Sequence, residues 1–332
     1  MKTRFFKLIT TILVLLLGIA LAIFIAKNQK SWSLFKIQDS NSQWSKEFEI
    51  AEIKSSKDNS IQKSYVYKSN SIERKPLVVS LHTWSGDYKQ KDDLAELCKL
   101  KDLNYIHPNF RGANNTVNAC SSELALTDID DAITYAINNF NVDTNNIYVI
   151  GKSGGGYATL SAFMKSKHNI KKYSAWASMT DLIAWYEENK LKDNKYAKNI
   201  LDCLGSETTL DIEKAKLKSP LYWHTPIEKL EHSKLTIYAG VYDGIQGSVP
   251  ITHSINFYNK LLRDMSLTDS LKYVSNSEKS KLLEKREPLG EYGNIAGRKI
   301  YLKKQFRNLS LIIFEGNHEM LTEFALDKLL EE

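Results

Sequence analysis

The pentapeptide Gly151-Lys152-Ser153-Gly154-Gly155 sets a serine between glycines in GxSxG spacing, directly after the apolar run Ile147–Ile150 and just before a helix-like stretch from Tyr157 to Lys165. A serine hydroxyl attacks a carbonyl when a sharp strand-to-helix turn exposes it, and flanking glycines let the backbone make that turn without Cβ clashes. The pattern by itself is common. Its strand-turn-helix context makes it a nucleophile elbow, and the chemistry it predicts is cleavage of acyl bonds.

A serine is a poor nucleophile at neutral pH. It needs a histidine within hydrogen-bond reach, itself oriented and charge-compensated by a carboxylate. On an elbow of this kind the acid follows the serine in the chain and the histidine comes last. After Ser153 the histidines are His168, His224, His232, His253 and His318, and only His318 sits in a loop just past an apolar strand near the C-terminus, in Phe314-Glu315-Gly316-Asn317-His318-Glu319. Asp243 follows the apolar run Leu235–Ala239 in Gly240-Val241-Tyr242-Asp243-Gly244. Open α/β sheets gather their sites at such carboxyl ends of strands, so Asp243 is the preferred acid over Asp181, Asp202 and Asp211. The plain alternatives are a turn aspartate before glycine and a surface-loop histidine. Acyl transfer also needs donors for the developing oxyanion. One is the backbone N–H of Gly154; the other is that of Thr83 or Trp84, in the loop His82-Thr83-Trp84-Ser85-Gly86 after Leu77–Leu81, and spacing does not separate the two. His82 reads as a structural support of that loop.

These residues require a frame. Strands are expected over 64–68, 77–81, 104–107, 147–150, 173–177, 235–239 and 311–314, alternating with helices over 91–101, 122–139, 157–165 and 251–263. That alternation predicts an α/β fold with a mostly parallel central sheet and helices on both faces. Residues 181–226 are helical in pattern, charged and aromatic, and predict a helical lid over the site. Residues 264–297 are polar, and a hairpin is expected over 298–305.

The first residues predict a cytoplasmic N-terminus over 1–7, a transmembrane helix over the uncharged run Leu8–Ala26, a stalk over 27–46 and one hydrolase domain over 47–332. Nineteen uncharged residues just span a hydrocarbon core of about 30 Å. Lys2, Arg4 and Lys7 place the N-terminus inside and the remainder outside the cell membrane. A cleavable signal peptide, which would leave a secreted protein, is the alternative. The net charge of +6 comes largely from the first thirty residues, which hold five of the 45 basic side chains and none of the 39 acids, leaving 40 basic against 39 acidic. No nucleic-acid partner is expected from that balance. Three cysteines are too few for a disulfide scaffold, though in an outward-facing domain Cys120 and Cys203 are candidates to pair. No cluster has metal-ligand spacing, and neither a metal nor another cofactor is expected.

The segments His82-Thr83-Trp84-Ser85-Gly86, Pro108-Asn109-Phe110-Arg111-Gly112, Gly151 to Tyr157, Asp243-Gly244 with Gly247-Ser248-Val249-Pro250, and Glu315 to Glu319 follow one another as in prolyl oligopeptidase-like α/β-hydrolases, and the chain resembles that group over about residues 64–332. The resemblance implies the α/β-hydrolase fold, a Ser153–Asp243–His318 triad and an oxyanion hole that includes the His82 loop. It departs from the group in two ways. Only about forty residues separate the apolar run from the first strand, too few for the β-propeller of the oligopeptide-cutting members, and the loop reads His-Thr-Trp where His-Gly-Gly is common. Trp84 is therefore also a candidate wall of the acyl pocket.

Arg111 is a candidate for binding a substrate carboxylate or carbonyl, with an ion pair to an acid as its alternative. Trp176, Trp185 and Tyr186, with Tyr222 and Trp223, are candidates for an aromatic platform under sugar rings or apolar acyl groups, or else for the core of the lid. The reading is a serine hydrolase acting on a small-molecule or glycan ester in preference to a peptide. A serine peptidase and a non-catalytic binding protein of the same fold are the rivals.

Overall fold

The structure, a computed structural model, describes residues 44–331. The expected anchor and most of the expected stalk lie outside the described residues, and among those described no helix is long and apolar enough to cross a membrane. In chain order the elements are β1 (Glu49–Lys54), β2 (Ile61–Tyr67), β3 (Lys75–Leu81), α1 (Asp93–Leu100), β4 (Asn104–Pro108), α2 (Glu123–Asn139), β5 (Val142–Lys152), α3 (Gly154–Lys165) and β6 (Lys172–Trp176). The lid segment supplies α4 (Leu182–Leu191), α5 (Lys195–Leu204) and α6 (Ile212–Leu217). The remainder is α7 (Lys229–His232), β7 (Lys234–Gly240), α8 (Thr252–Asp264), α9 (Asn276–Glu284), β8 (Asn294–Ile295), β9 (Arg298–Phe306), β10 (Leu309–Phe314) and α10 (Thr322–Leu330).

The strands form one sheet in the order β1-β2-β4-β3-β5-β6-β7-β10-β9-β8. The six from β4 to β10 run parallel, and antiparallel strands complete each side. Side chains alternate across the pleat: Leu77, Val79 and Leu81 of β3 enter the core shared with α2, α3 and α8, whereas Val78 enters the core on the opposite face, shared with α1 and α10. Burial on both faces explains why the central strands read as unbroken apolar runs. Helix α3 is buried from Gly154 to Met164, as a helix apolar on every side must be.

Three elements differ from expectation. The edge strand β1 was not expected; its Glu-Ile-Ala-Glu-Ile-Lys sequence breaks the apolar alternation at Ile50-Ala51 and is half charged, as an exposed edge demands. The polar stretch 264–297 contains α9, started by a Ser275–Glu278 capping box. Residues 298–305 form one strand running back against β10 in place of a hairpin of their own.

The chain leaves β3 toward β4 on one side and returns to β5 on the other, so the sheet order reverses between β3 and β5. The crevice beyond the carboxyl ends at such a switch point is where open sheets bind ligands.

Candidate active site

Ser153 directly follows β5 with φ 58° and ψ −119°, a conformation that costs an L-residue about 1–3 kcal/mol. Its own N–H donates to the Trp176 carbonyl at 2.9 Å, and its carbonyl accepts from Tyr157 N–H at 2.9 Å, which locks the turn from both sides. The elbow closes against the loop after β3 because residue 154 is glycine: a Cβ there would lie 2.2 Å from the Trp84 nitrogen and 2.4 Å from its Cα. The backbone N–H groups of Gly154 and Trp84 are thus neighbours. The Thr83 N–H donates to Gln90 Oε1 at 3.1 Å, whereas the Trp84 N–H has no partner among the described residues. Of the two candidates left open by spacing, Trp84 is the donor free to meet an oxyanion, and Thr83 is occupied by a side chain seven residues on.

Asp243 follows β7 and its carboxylate is buried. Oδ1 accepts from the Gly244 and Val249 N–H groups at 2.9 and 3.1 Å, and Oδ2 accepts from His318 Nδ1, which follows β10, at 2.8 Å. A carboxylate only accepts, so the Nδ1 position carries the proton and Nε2 is left as the base. Arg298 braces this loop through Glu319, with Nη2 donating to Oε2 at 3.2 Å. Among the described residues no hydrogen bond joins the Ser153 hydroxyl to His318, and catalytic bonds of this type commonly tighten only once substrate is bound. The three residues follow the carboxyl ends of β5, β7 and β10 of one sheet, with β6 alone between β5 and β7.

His82 is fully buried, its ring stacked on Phe110 at 3.8 Å. Nε2 lies 2.7 Å from the Asn109 carbonyl and Nδ1 3.0 Å from that of Thr83. Burial pushes this imidazole down to about 4, so it is neutral and serves to tie the loop after β3 to the loop after β4.

The expected substrate residues are placed differently. Arg111 is engaged by protein: its guanidinium donates to Asp58 at 2.7 and 3.0 Å, to Asp128 at 2.5 and 3.1 Å and to Ser55 at 3.0 Å. With its side chain 8% exposed and only one Nη1 hydrogen outside these bonds, the residue pins α2 to the β1–β2 turn. Trp176 is a core residue, completely buried and stacked on Tyr238 at 3.9 Å. Trp185 and Tyr186 are buried in the core beneath the lid with Trp84, Tyr157 and Val249. They form no open aromatic rim, because a lid of short helices has too little apolar surface to spare any. Tyr222 Oη donates to Asp181 Oδ2 at 3.0 Å, and Trp223 lines a cavity of about 670 Å³ beside α2 to which none of Ser153, Asp243 and His318 contributes.

Cys120 and Cys203 are joined as a disulfide, with Cα atoms 6.1 Å apart, and Cys98 is buried and free. Gln90, Asn114 and Arg298 carry no sequence signal; they support the site through Gln90 Oε1 on the Thr83 N–H, the Asn114 N–H on the Trp84 carbonyl at 2.8 Å and Arg298 on Glu319.

The family model described as BD-FAE matches residues 65–261. Solved structures with the same fold include a Pyrococcus horikoshii acylaminoacyl peptidase (20% identity, TM-score 0.53, 66% of this chain and 36% of that one). A Mycobacterium tuberculosis puromycin-hydrolyzing peptidase is 13% identical, with TM-score 0.53 over 85% of this chain and 37% of that one. Porphyromonas gingivalis dipeptidyl peptidase 4 is 14% identical, with TM-score 0.54 over 85% and 34%. The chain spans about a third of the length of these proteins. No curated protein matches the sequence.

Proposed function

The chain belongs to the BD-FAE family, and on that footing we propose that it is a serine hydrolase that cleaves acyl bonds through Ser153, His318 and Asp243. His318 Nε2 takes the proton as Ser153 Oγ bonds to the substrate carbonyl carbon, and Asp243 stabilises the resulting imidazolium. The oxyanion lies against the N–H groups of Gly154 and Trp84, each such donor contributing about 10²–10³ in rate. The imidazolium then gives its proton to the departing oxygen or nitrogen, and water releases the acyl group from Ser153 by the same route in reverse.

The observation that carries this reading is the buried Asp243–His318 contact of 2.8 Å at the same end of the sheet as the strained Ser153. Esters are the first substrate class, since an oxyanion hole and a triad act on an ester without any groove dedicated to a peptide backbone. Peptides are the second reading, favoured by fold neighbours described as peptidases, one of them in complex with Z-Gly-Gly-Phe-chloromethyl ketone. The run Leu8–Ala26 and the Cys120–Cys203 bond support a membrane-anchored domain facing an oxidising exterior.

A fluorophosphonate probe tests the chemistry. The full-length wild type is expected to label, and Ser153→Ala and His318→Ala are not. Absence of labelling in well-folded wild type moves the binding-protein reading to the front. Protease accessibility of the domain in intact cells tests its placement.

A further inference from the structure

The loops that carry the acid and the oxyanion donor come from strands far apart in the sequence, and one lid side chain touches both. Trp185 of α4 is 1% exposed. Its indole Nε1 donates to the Ser248 carbonyl at 2.8 Å, and the next residue, Val249, supplies the N–H that holds Asp243 Oδ1. The same indole meets the Trp84 ring edge-to-face, with centroids 4.7 Å apart and planes at 74°, and Trp84 carries the free backbone N–H beside Gly154. A second lid contact, Lys192 Nζ to the Gly244 carbonyl at 2.8 Å, ties the same helix to the residue after Asp243. Stacking on Tyr196 of α5 at 5.1 Å supports Trp185 from behind.

We propose that Trp185 is a positioning residue that fixes the acid loop in register with the oxyanion loop, so that seating of α4 aligns the Asp243–His318 pair with the Gly154 and Trp84 donors. The proposal rests on the serine-hydrolase reading. Trp185 touches neither substrate nor Ser153 in this scheme. Its effect comes through the peptide of Ser248–Val249, whose carbonyl it holds and whose N–H holds the carboxylate: one rigid planar unit bonded at both ends. Loss of the indole donor frees that peptide to rotate, and displacement of about 1 Å at a catalytic group costs on the order of 10²-fold.

Two substitutions in the full-length protein isolate the donor. Trp185→Phe keeps an aromatic ring and removes the N–H. Trp185→His has a five-membered ring whose Nε2–H can occupy the place of the indole N–H. Completed fluorophosphonate labelling counts competent sites, and hydrolysis of a p-nitrophenyl ester then gives kcat per site. Trp185→Phe is expected to lower kcat per site by about 10- to 100-fold with KM within about twofold, and Trp185→His to recover most of that loss. A purely structural role would instead reduce the number of titratable sites and leave the rate per site intact. Equal kcat per site in wild type and Trp185→Phe overturns the positioning role while the hydrolase reading stands, as does equal loss in the Phe and His variants. Wild type that neither labels nor hydrolyses the ester overturns both.

Discussion

Substitution of Gly247 by alanine tests the acid–base pair without touching either partner. A Cβ at 247 would lie 2.2 Å from Asp243 Oδ1 and 2.6 Å from His318 Cβ, against the 3.0 Å below which such contacts essentially never occur. The carboxylate therefore has to retreat by roughly 0.8 Å and the His318 loop by roughly 0.4 Å, and a change of that order costs about 10²-fold in rate. An independent route gives the same size: loss of a hydrogen bond to a charged partner is worth about 1.5–3 kcal/mol, or roughly 10- to 150-fold. Gly247→Ala is accordingly expected to lower kcat/KM about 100-fold, mostly through kcat, while the melting temperature falls by only a few degrees, since at most one of the two backbone bonds to Oδ1 is lost. Steady-state hydrolysis of a p-nitrophenyl ester, fluorophosphonate labelling rate and thermal melting together read the outcome. Wild-type kcat/KM in a folded Gly247→Ala protein would falsify the assignment of Asp243 and His318 as the working pair.

Ser153→Gly is expected to abolish labelling yet raise stability by about 1 kcal/mol, since glycine adopts φ 58° without strain; a fall in stability measured by urea denaturation would contradict the strain. Arg111→Ala should destabilise by about 3–5 kcal/mol because it strands the buried Asp128 carboxylate, with kcat per titrated site unchanged; a selective rise in KM would return Arg111 to the substrate. For His82, whose imidazole is pushed from 6.5 to about 4 by burial, the folded state resists a proton that the unfolded state accepts. Its stabilisation is complete above pH 6.5 and is lost as pH falls toward 4, by about 3 kcal/mol in all. Unfolding free energies of His82→Gln across this window should decline less than those of wild type. Parallel curves would count against it.

The Ser153 turn and the Asp243–His318 contact were legible because the proposed chemistry restricts such residues to short loops after apolar strands, and the sequence contains one such glycine-rich turn, one such Asp-Gly and one such terminal histidine loop. The strand-helix alternation was legible for the same reason that the central strands are buried on both faces: continuous apolar runs stand out in a chain with 25% charged residues. What escaped depends on partners set by the fold. Whether Arg111 meets a substrate or an acid of its own chain stays open until the chain folds back to bring Asp58 within 2.7 Å from 53 residues away. The choice between Thr83 and Trp84 turned on where the Gln90 side chain points. Aromatic residues in a lid have the same composition whether they line its cleft or fill its core, and Trp185 and Tyr186 fill the core.

The Cys120–Cys203 bond encloses Ser153, α4 and the exposed turn Leu191–Asn194 between its two ends, and leaves Asp243 and His318 outside the ring. A protease that clips the chain in that exposed turn opens the ring without releasing a fragment. The piece bearing Ser153 stays covalently attached to the piece bearing Asp243 and His318, and the break would show only after reduction. On the outward placement proposed above, such a bond works less as a brace than as a tether that holds the two halves together after a cut.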